Sequence, residues 1–244
     1  MKKVPPSGIL LTQTRRPNPY EMSYWKTQGY TVFYQSLLKV TPLPVEPLDI
    51  DPQAIVLTSG NAASALEDSD WDRTIPVFGV GRATAQMAKA AGFTDCSSPS
   101  NKPYPSAINL LNWIINTLEP EAGPIVFGCG REVRHDLAQD LKIAGYTTKK
   151  VILYNTQPID TFSKNIEIGL KNGSIDTVVL QSEQAIKGFA TLCHKNSIAY
   201  QDIILNVPSD HLKLSAAALG FLNIKHNHKS PHAQRGLQKT IKNY

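Results

Sequence analysis

Two kinds of strand-to-helix unit recur in this chain in the order A-B-A-B, and that duplication limits the available folds more than any other feature. The first kind opens with a short apolar run and closes on a Gly-Tyr pair. Ile9, Leu10 and Leu11 lead to Gly29-Tyr30, and Ile125, Val126 and Phe127 lead to Gly145-Tyr146. The second kind runs strand, Ser, helix, strand, turn, helix and closes on Gly-Phe, over 54–93 and again over 177–221. Such a pattern predicts two similar α/β domains with a cleft between them. It also places ligand-binding groups at the ends of strands.

The strands read as short continuous apolar runs, as expected for parallel strands covered on both faces. Ile55-Val56-Leu57, Val77 to Val80, Val151-Ile152-Leu153, Val178-Val179-Leu180 and Ile203-Ile204-Leu205 all fit. Between them, Val133, Leu137, Leu141 and Ile143 predict one apolar helix face over 132–144, with Gly145 as its C-terminal stop. Ile108, Leu111, Ile115 and Leu118 predict another over 105–118. Right-handed crossovers in parallel sheets follow. The pattern breaks at Lys39–Gln53, rich in proline, and at Asn155–Ile168, so both read as connections between domains. The units can pair in tandem or interleaved, and their spacing does not choose between the two.

A chain of 244 residues holds one large domain or two of ordinary size, and 41% hydrophobic with 18% charged residues is a globular profile. Three widely spaced cysteines, Cys96, Cys129 and Cys193, point to a reducing compartment. No apolar run reaches membrane-spanning length, and Pro5, Pro6 and Gly8 interrupt the N-terminus before a signal-peptide core forms. The expected location is the cytoplasm. The net charge of +5 sits partly in a basic tail (Lys225, Lys229, Arg235, Lys239, Lys242). No basic face interleaved with aromatics suggests nucleic acid, and nothing suggests a membrane partner.

Small polar residues follow the strands of the second unit type: Thr58, Ser59 and Asn61 after one, Ser182 after its counterpart, Arg82 and Thr84 after the next, and Ser209 after its match. Helix N-termini with such caps suit carboxylate or phosphate, although Ser, Thr and Asn also cap helices with no ligand. Other signals are weaker. Gly79-Val80-Gly81 begins a dinucleotide fingerprint, but Thr84 stands where its third glycine belongs. Gly128-Cys129-Gly130-Arg131 lacks the ending of a phosphate loop. His226, His228 and His232 lie in a polar tail without acidic or Cys partners, which reads as surface and not as a metal site. Cys129 has no histidine placed to activate it, and no Ser-His-Asp order or carboxylate pair stands out.

In order and spacing these segments resemble the uroporphyrinogen-III synthase family over nearly the whole chain. The matching stretches are Leu57-Thr58-Ser59-Gly60-Asn61-Ala62, Val80-Gly81-Arg82-Ala83-Thr84-Ala85, Cys129-Gly130 through Arg134, the strand ending in Tyr154, Ser182 after its strand, and Val207-Pro208-Ser209 with Gly220-Phe221 downstream. The resemblance implies interleaved pairing and two flavodoxin-like or doubly wound parallel-sheet domains. One would be discontinuous (1–38 with 158–244), the other would span 43–151, and a two-stranded linker (39–42 and 152–157) would join them. It implies a cofactor-free, metal-free and monomeric hydro-lyase acting on hydroxymethylbilane, a linear tetrapyrrole polycarboxylate. Loss of hydroxyl gives an azafulvene, and closure through a spiro intermediate inverts ring D to give uroporphyrinogen III.

The resemblance also implies Tyr154 as the catalytic residue and Thr58, Ser59, Asn61, Thr84, Arg134, Ser182, Ser209 and Arg15 as substrate-binding residues. A free phenol, with a pKa of about 10, is a weak acid, so a hydrogen bond from Tyr154 to the leaving oxygen is the expected role. Two departures stand out. The family's Thr-Arg-Pro after the first strand reads here Thr12-Gln13-Thr14-Arg15-Arg16-Pro17, and His211 stands where an Arg is usual. A non-catalytic binder of an anionic tetrapyrrole-like ligand is the alternative.

Overall fold

The structure, a computed structural model, describes residues 7–99, 106–133 and 135–226. The elements run β1 (Gly8–Leu11), α1 (Pro19–Thr27), β2 (Thr31–Tyr34), β3 (Leu38–Pro42), β4 (Ala54–Leu57), α2 (Gly60–Ala65), β5 (Val77–Gly79), α3 (Arg82–Ala90), β6 (Cys96–Ser97) and α4 (Ala107–Ile115). There follow β7 (Ile125–Gly130), α5 (Leu137–Ile143), β8 (Thr148–Pro158), α6 (Lys164–Lys171), β9 (Thr177–Val179), α7 (Glu183–Lys195), β10 (Ile204–Val207), α8 (Asp210–Ala218) and β11 (Ile224–His226). By internal contacts the chain divides into two compact units, Met1–Lys39 with Gln157–Tyr244, and Val40–Thr156.

The first unit carries a five-stranded sheet in the order β11-β10-β9-β1-β2, each pair parallel. Alternation splits β1 between two cores, which is why all four of its residues are buried and no polar residue interrupts it. Leu10 joins Ile166 and Leu170 of α6, Ile186 and Phe189 of α7, and Leu212 of α8 on one face. Ile9 and Leu11 pack with Trp25 of α1 on the other.

The second unit carries a six-stranded sheet, β3-β8-β7-β4-β5-β6, in which β8, β7, β4, β5 and β6 are parallel. Ala54 and Val56 of β4 face Leu110, Leu111 and Ile114 of α4 and Leu137 and Leu141 of α5. Ile55 and Leu57 face Ala62 and Ala63 of α2 and Ala88 of α3. The edge strand β3 lies against β8 with opposite direction, since Leu43 N–H bonds the Leu153 carbonyl (2.9 Å) and Ile159 N–H bonds that of Leu37 (3.0 Å).

The recurring Gly-aromatic pairs are helix stops with one geometry. Gly29, Gly92, Gly145 and Gly220 take φ values of 87°, 99°, 95° and 86°, and the aromatic residue after each donates its N–H to the carbonyl five residues back. That left-handed turn with its return bond satisfies a last-turn carbonyl and drops the next side chain into the core. Phe93 (1% exposed) and Phe221 (2%) show the outcome.

The helix faces expected from spacing need correction. In α4 the buried residues are Leu110, Leu111 and Ile114, whereas Ile108 and Ile115 are exposed. All five are aliphatic, so spacing alone does not choose the face. In α5 the helix begins only at Leu137, and Ile143 is 77% exposed.

Ser197, after α7, has φ 54°, the only non-glycine residue with positive φ among the described residues. It occupies the place where the other stops use glycine, and a side chain there costs roughly 1–2 kcal/mol. Ser197→Gly should raise Tm by about 2 °C, net of the added freedom of the unfolded chain. A thermal melt checks this.

Candidate functional site

In a doubly wound sheet the strand order reverses at one place, and the carboxyl ends of the strands flanking it form a natural ligand crevice. In the first sheet that place lies between β1 and β9, and in the second between β4 and β7. At the first, Thr12 leaves β1 with its hydroxyl donating to the Val179 carbonyl at 2.5 Å, and Ser182 opens α7. At the second, Thr58 and Ser59 leave β4, both half-buried, and Gly130 ends β7.

Ser59, Ser182 and Ser209 are N-caps. Their hydroxyls accept the N–H of Asn61 (3.1 Å), Ala185 (3.1 Å) and Leu212 (3.4 Å) respectively. Asn61 thus meets Ser59 through its backbone. Thr84 corrects the sequence reading, because it is the third residue of α3, is 6% exposed, and caps nothing. The N-cap is Gly81, which has no side chain to offer. The first turn of α3 seats closely on β5: a Cβ on Gly79 would lie 2.8 Å from the Ala85 nitrogen and 3.3 Å from the Thr84 carbonyl carbon.

The caps differ in charge. Glu183 and Asp210 are the first residues of α7 and α8, so a carboxylate already sits at each positive helix end. The first turns of α2 and α3 carry no acid. Glu183 accepts the Ser215 hydroxyl at 2.8 Å and pairs with His211 Nε2 at 2.8 Å. The Ser215 hydrogen bond, with His211 and Lys187 nearby, holds its carboxyl below the usual range. The Ser182-Glu183 and Ser209-Asp210 dipeptides are the sequence signal for this difference.

Tyr154 owes its position to a bulge. Cys129 pairs with Ile152 and Gly130 with Tyr154, so Leu153 is the extra residue between them. Without it, Ile152 and Tyr154 would share a face. With it, Ile152 packs on the α4–α5 side, while Leu153 and Tyr154 both join Leu57, Ala62 and Ala63 on the α2 side. The ring lies across Gly130, where a Cβ would come within 2.7 Å of Cζ and 3.0 Å of the hydroxyl oxygen. Tyr154 therefore sits at the same end and on the same face of the second sheet as the start of α2. It is 9% exposed, and its hydroxyl makes no hydrogen bond among the described residues.

Arg15 is engaged within the first unit by a bidentate pair with Glu21. Cys129 is buried, which pushes its thiol up to about 11 and leaves it without thiolate character at neutral pH. Arg134, His228 and His232 lie outside the described residues. No helix among the described residues is long and apolar enough to cross a membrane.

A family model described as uroporphyrinogen-III synthase HemD matches residues 23–222. Among solved structures, the uroporphyrinogen-III synthetase of Helicobacter pylori 26695 aligns with a TM-score of 0.63 at 14% identity, covering 96% of this chain and 99% of its own. A mutant uroporphyrinogen III synthase from the extremely thermophilic bacterium Thermus thermophilus aligns at 10% identity with a TM-score of 0.45, covering 98% of this chain and 100% of its own. No curated protein sequence matches the chain significantly. The Helicobacter likeness is one of fold, and the family match spans most of the sequence. The chain belongs to the uroporphyrinogen-III synthase family.

Proposed function

We propose that the strand ends of the two units hold the carboxylates of hydroxymethylbilane while Tyr154 assists loss of its hydroxyl. The overall reaction is the family's: cyclisation of the linear tetrapyrrole to uroporphyrinogen III with inversion of ring D and release of water. Two doubly wound domains are joined by β3 and β8 as linker strands. The first sheet has the flavodoxin-like order, and the second has the other common doubly wound order. The protein acts as a monomer in the cytoplasm.

The observation that supports Tyr154 is the bulge that turns its ring over Gly130 beside the α2 start. From there the phenol O–H donates a hydrogen bond to the departing oxygen; the C–O bond breaks, and the hydroxyl leaves as water with the proton of the adjacent pyrrole N–H, giving the neutral azafulvene. Ser59 and the neighbouring N–H groups at the start of α2, with no acid in that turn, stabilise a carboxylate on the same face. Thr58 and Asn61 belong to the same anion site. Ser182 and Ser209 form the weaker ones, since Glu183 and Asp210 already compensate their helix ends. Most of the rate enhancement then comes from holding one conformer of a flexible polyanion.

The test is conversion of hydroxymethylbilane with the I and III isomers resolved by chromatography. Isomer III should predominate over the enzyme-free control. An unchanged isomer ratio with retained binding would instead make the protein a tetrapyrrole binder.

A further inference from the structure

We propose that Arg16 is a carboxylate-binding cation of the first unit, positioned by an Arg15–Glu21 clamp; this rests on the tetrapyrrole reading above. The loop between β1 and α1 carries two adjacent arginines in different surroundings. Arg15 places both terminal nitrogens on Glu21, Nη1 at 3.0 Å from Oε2 and Nη2 at 2.5 Å from Oε1. Glu21 is 3% exposed, and its Oε2 also accepts the Asn18 backbone N–H at 2.9 Å, while the Asn18 side chain accepts the Glu21 N–H at 2.9 Å. Were Arg15 to leave for a substrate, the buried Glu21 carboxylate would lose its bidentate guanidinium partner, a costly loss. Arg15 is therefore a fixed part of the loop.

The clamp acts on the next residue. Arg15 Nη1 donates to the Arg16 carbonyl at 3.4 Å, and Pro17 after it is buried. Thr12 ties the start of the loop to β9 at the place where the strand order reverses. Arg16 is exposed, and its guanidinium has no hydrogen bond or ion pair among the described residues. Both arginines lie near the Tyr34 phenol, where their charge opposes the upward push of burial. The result is an exposed cation just past the carboxyl end of β1, beside the place where the strand order reverses, in a protein whose substrate is a polycarboxylate. A guanidinium suits that partner because it binds carboxylate bidentately.

Steady-state kinetics and melts of Arg16→Gln, Arg16→Lys and Arg15→Gln test the assignment. Arg16→Gln should raise KM about tenfold with kcat and Tm nearly unchanged, as for loss of a contact present in ground and transition states alike. Its KM should also respond less to salt than the wild type's. Arg16→Lys should restore most of the affinity. Arg15→Gln should lower Tm by a few degrees and raise KM as well, because it releases the loop. A wild-type KM in Arg16→Gln would overturn the assignment. So would an Arg15→Gln variant that loses affinity with no change in Tm, which would return the cation role to Arg15. If the wild-type protein itself gives no excess of isomer III, the parent reading has failed rather than this one.

Discussion

Replacing Tyr154 with phenylalanine should lower kcat about 100-fold, the lower end of what a positioned proton donor contributes. The ring is buried among Leu57, Ala62, Ala63 and Leu153, and phenylalanine keeps all of that packing. The hydroxyl bonds no described residue, so its removal strands no partner, and Tm should stay within about 2 °C. The expected pattern is a catalytic loss without a stability loss. It should come with a rise in isomer I, because unassisted substrate closes without ring inversion. Near-normal turnover with isomer III retained would make Tyr154 a packing residue.

The largest stability effect is expected at Gly8→Ala. Gly8 opens β1, the strand held between β2 and β9, and a Cβ there would sit 2.0 Å from the Ser174 carbonyl oxygen and 3.1 Å from the Ile175 Cα. Both obstacles are backbone, so no rotamer change relieves the clash. The turn is also anchored, since Asp176 N–H bonds the Gly8 carbonyl (3.1 Å) and Ile175 N–H bonds that of Gly169 (2.9 Å). A cost of about 3 kcal/mol is expected, and Tm should fall by roughly 6–12 °C. Kinetic constants measured well below the melt should change little, because Gly8 lies at the opposite end of β1 from Thr12. A shift under 2 °C would show that the 172–176 turn yields.

The central strands are legible in the sequence because burial on both faces removes every polar residue from a short run, as in Ile55-Val56-Leu57. The Gly-aromatic stops are legible because left-handed backbone strongly favours glycine. The serine caps are readable from their place between strand and helix. What escapes has physical reasons. The edge strands β2 and β11 and the two-residue β6 lack fully buried runs, so they carry no such pattern. The face of α4 is hidden because the exposed Ile108 and Ile115 are as aliphatic as the buried Leu110, Leu111 and Ile114. Thr84 looks like a cap because the cap itself is a glycine. The bulge at Leu153 leaves no mark in composition, although it decides which face Tyr154 occupies. Glu21 holds Arg15 from the next helix, a partnership that neither residue announces alone.

The order of strands in the first sheet bears on how the chain is made. The Thr12–Val179 hydrogen bond joins residues 167 apart, and β1 needs β9 on one side as surely as β2 on the other. A ribosome delivers the N-terminal unit of β1, α1 and β2 long before that neighbour exists. Every element from β4 to β8, by contrast, is contiguous. The second unit can therefore close during synthesis while the first strands wait as an unfinished edge, the kind of exposed template that invites mispairing. Non-local closure of this sort is slow even for a free chain. The stretch from β1 to β2 is thus the one whose fate depends most on what shields nascent protein.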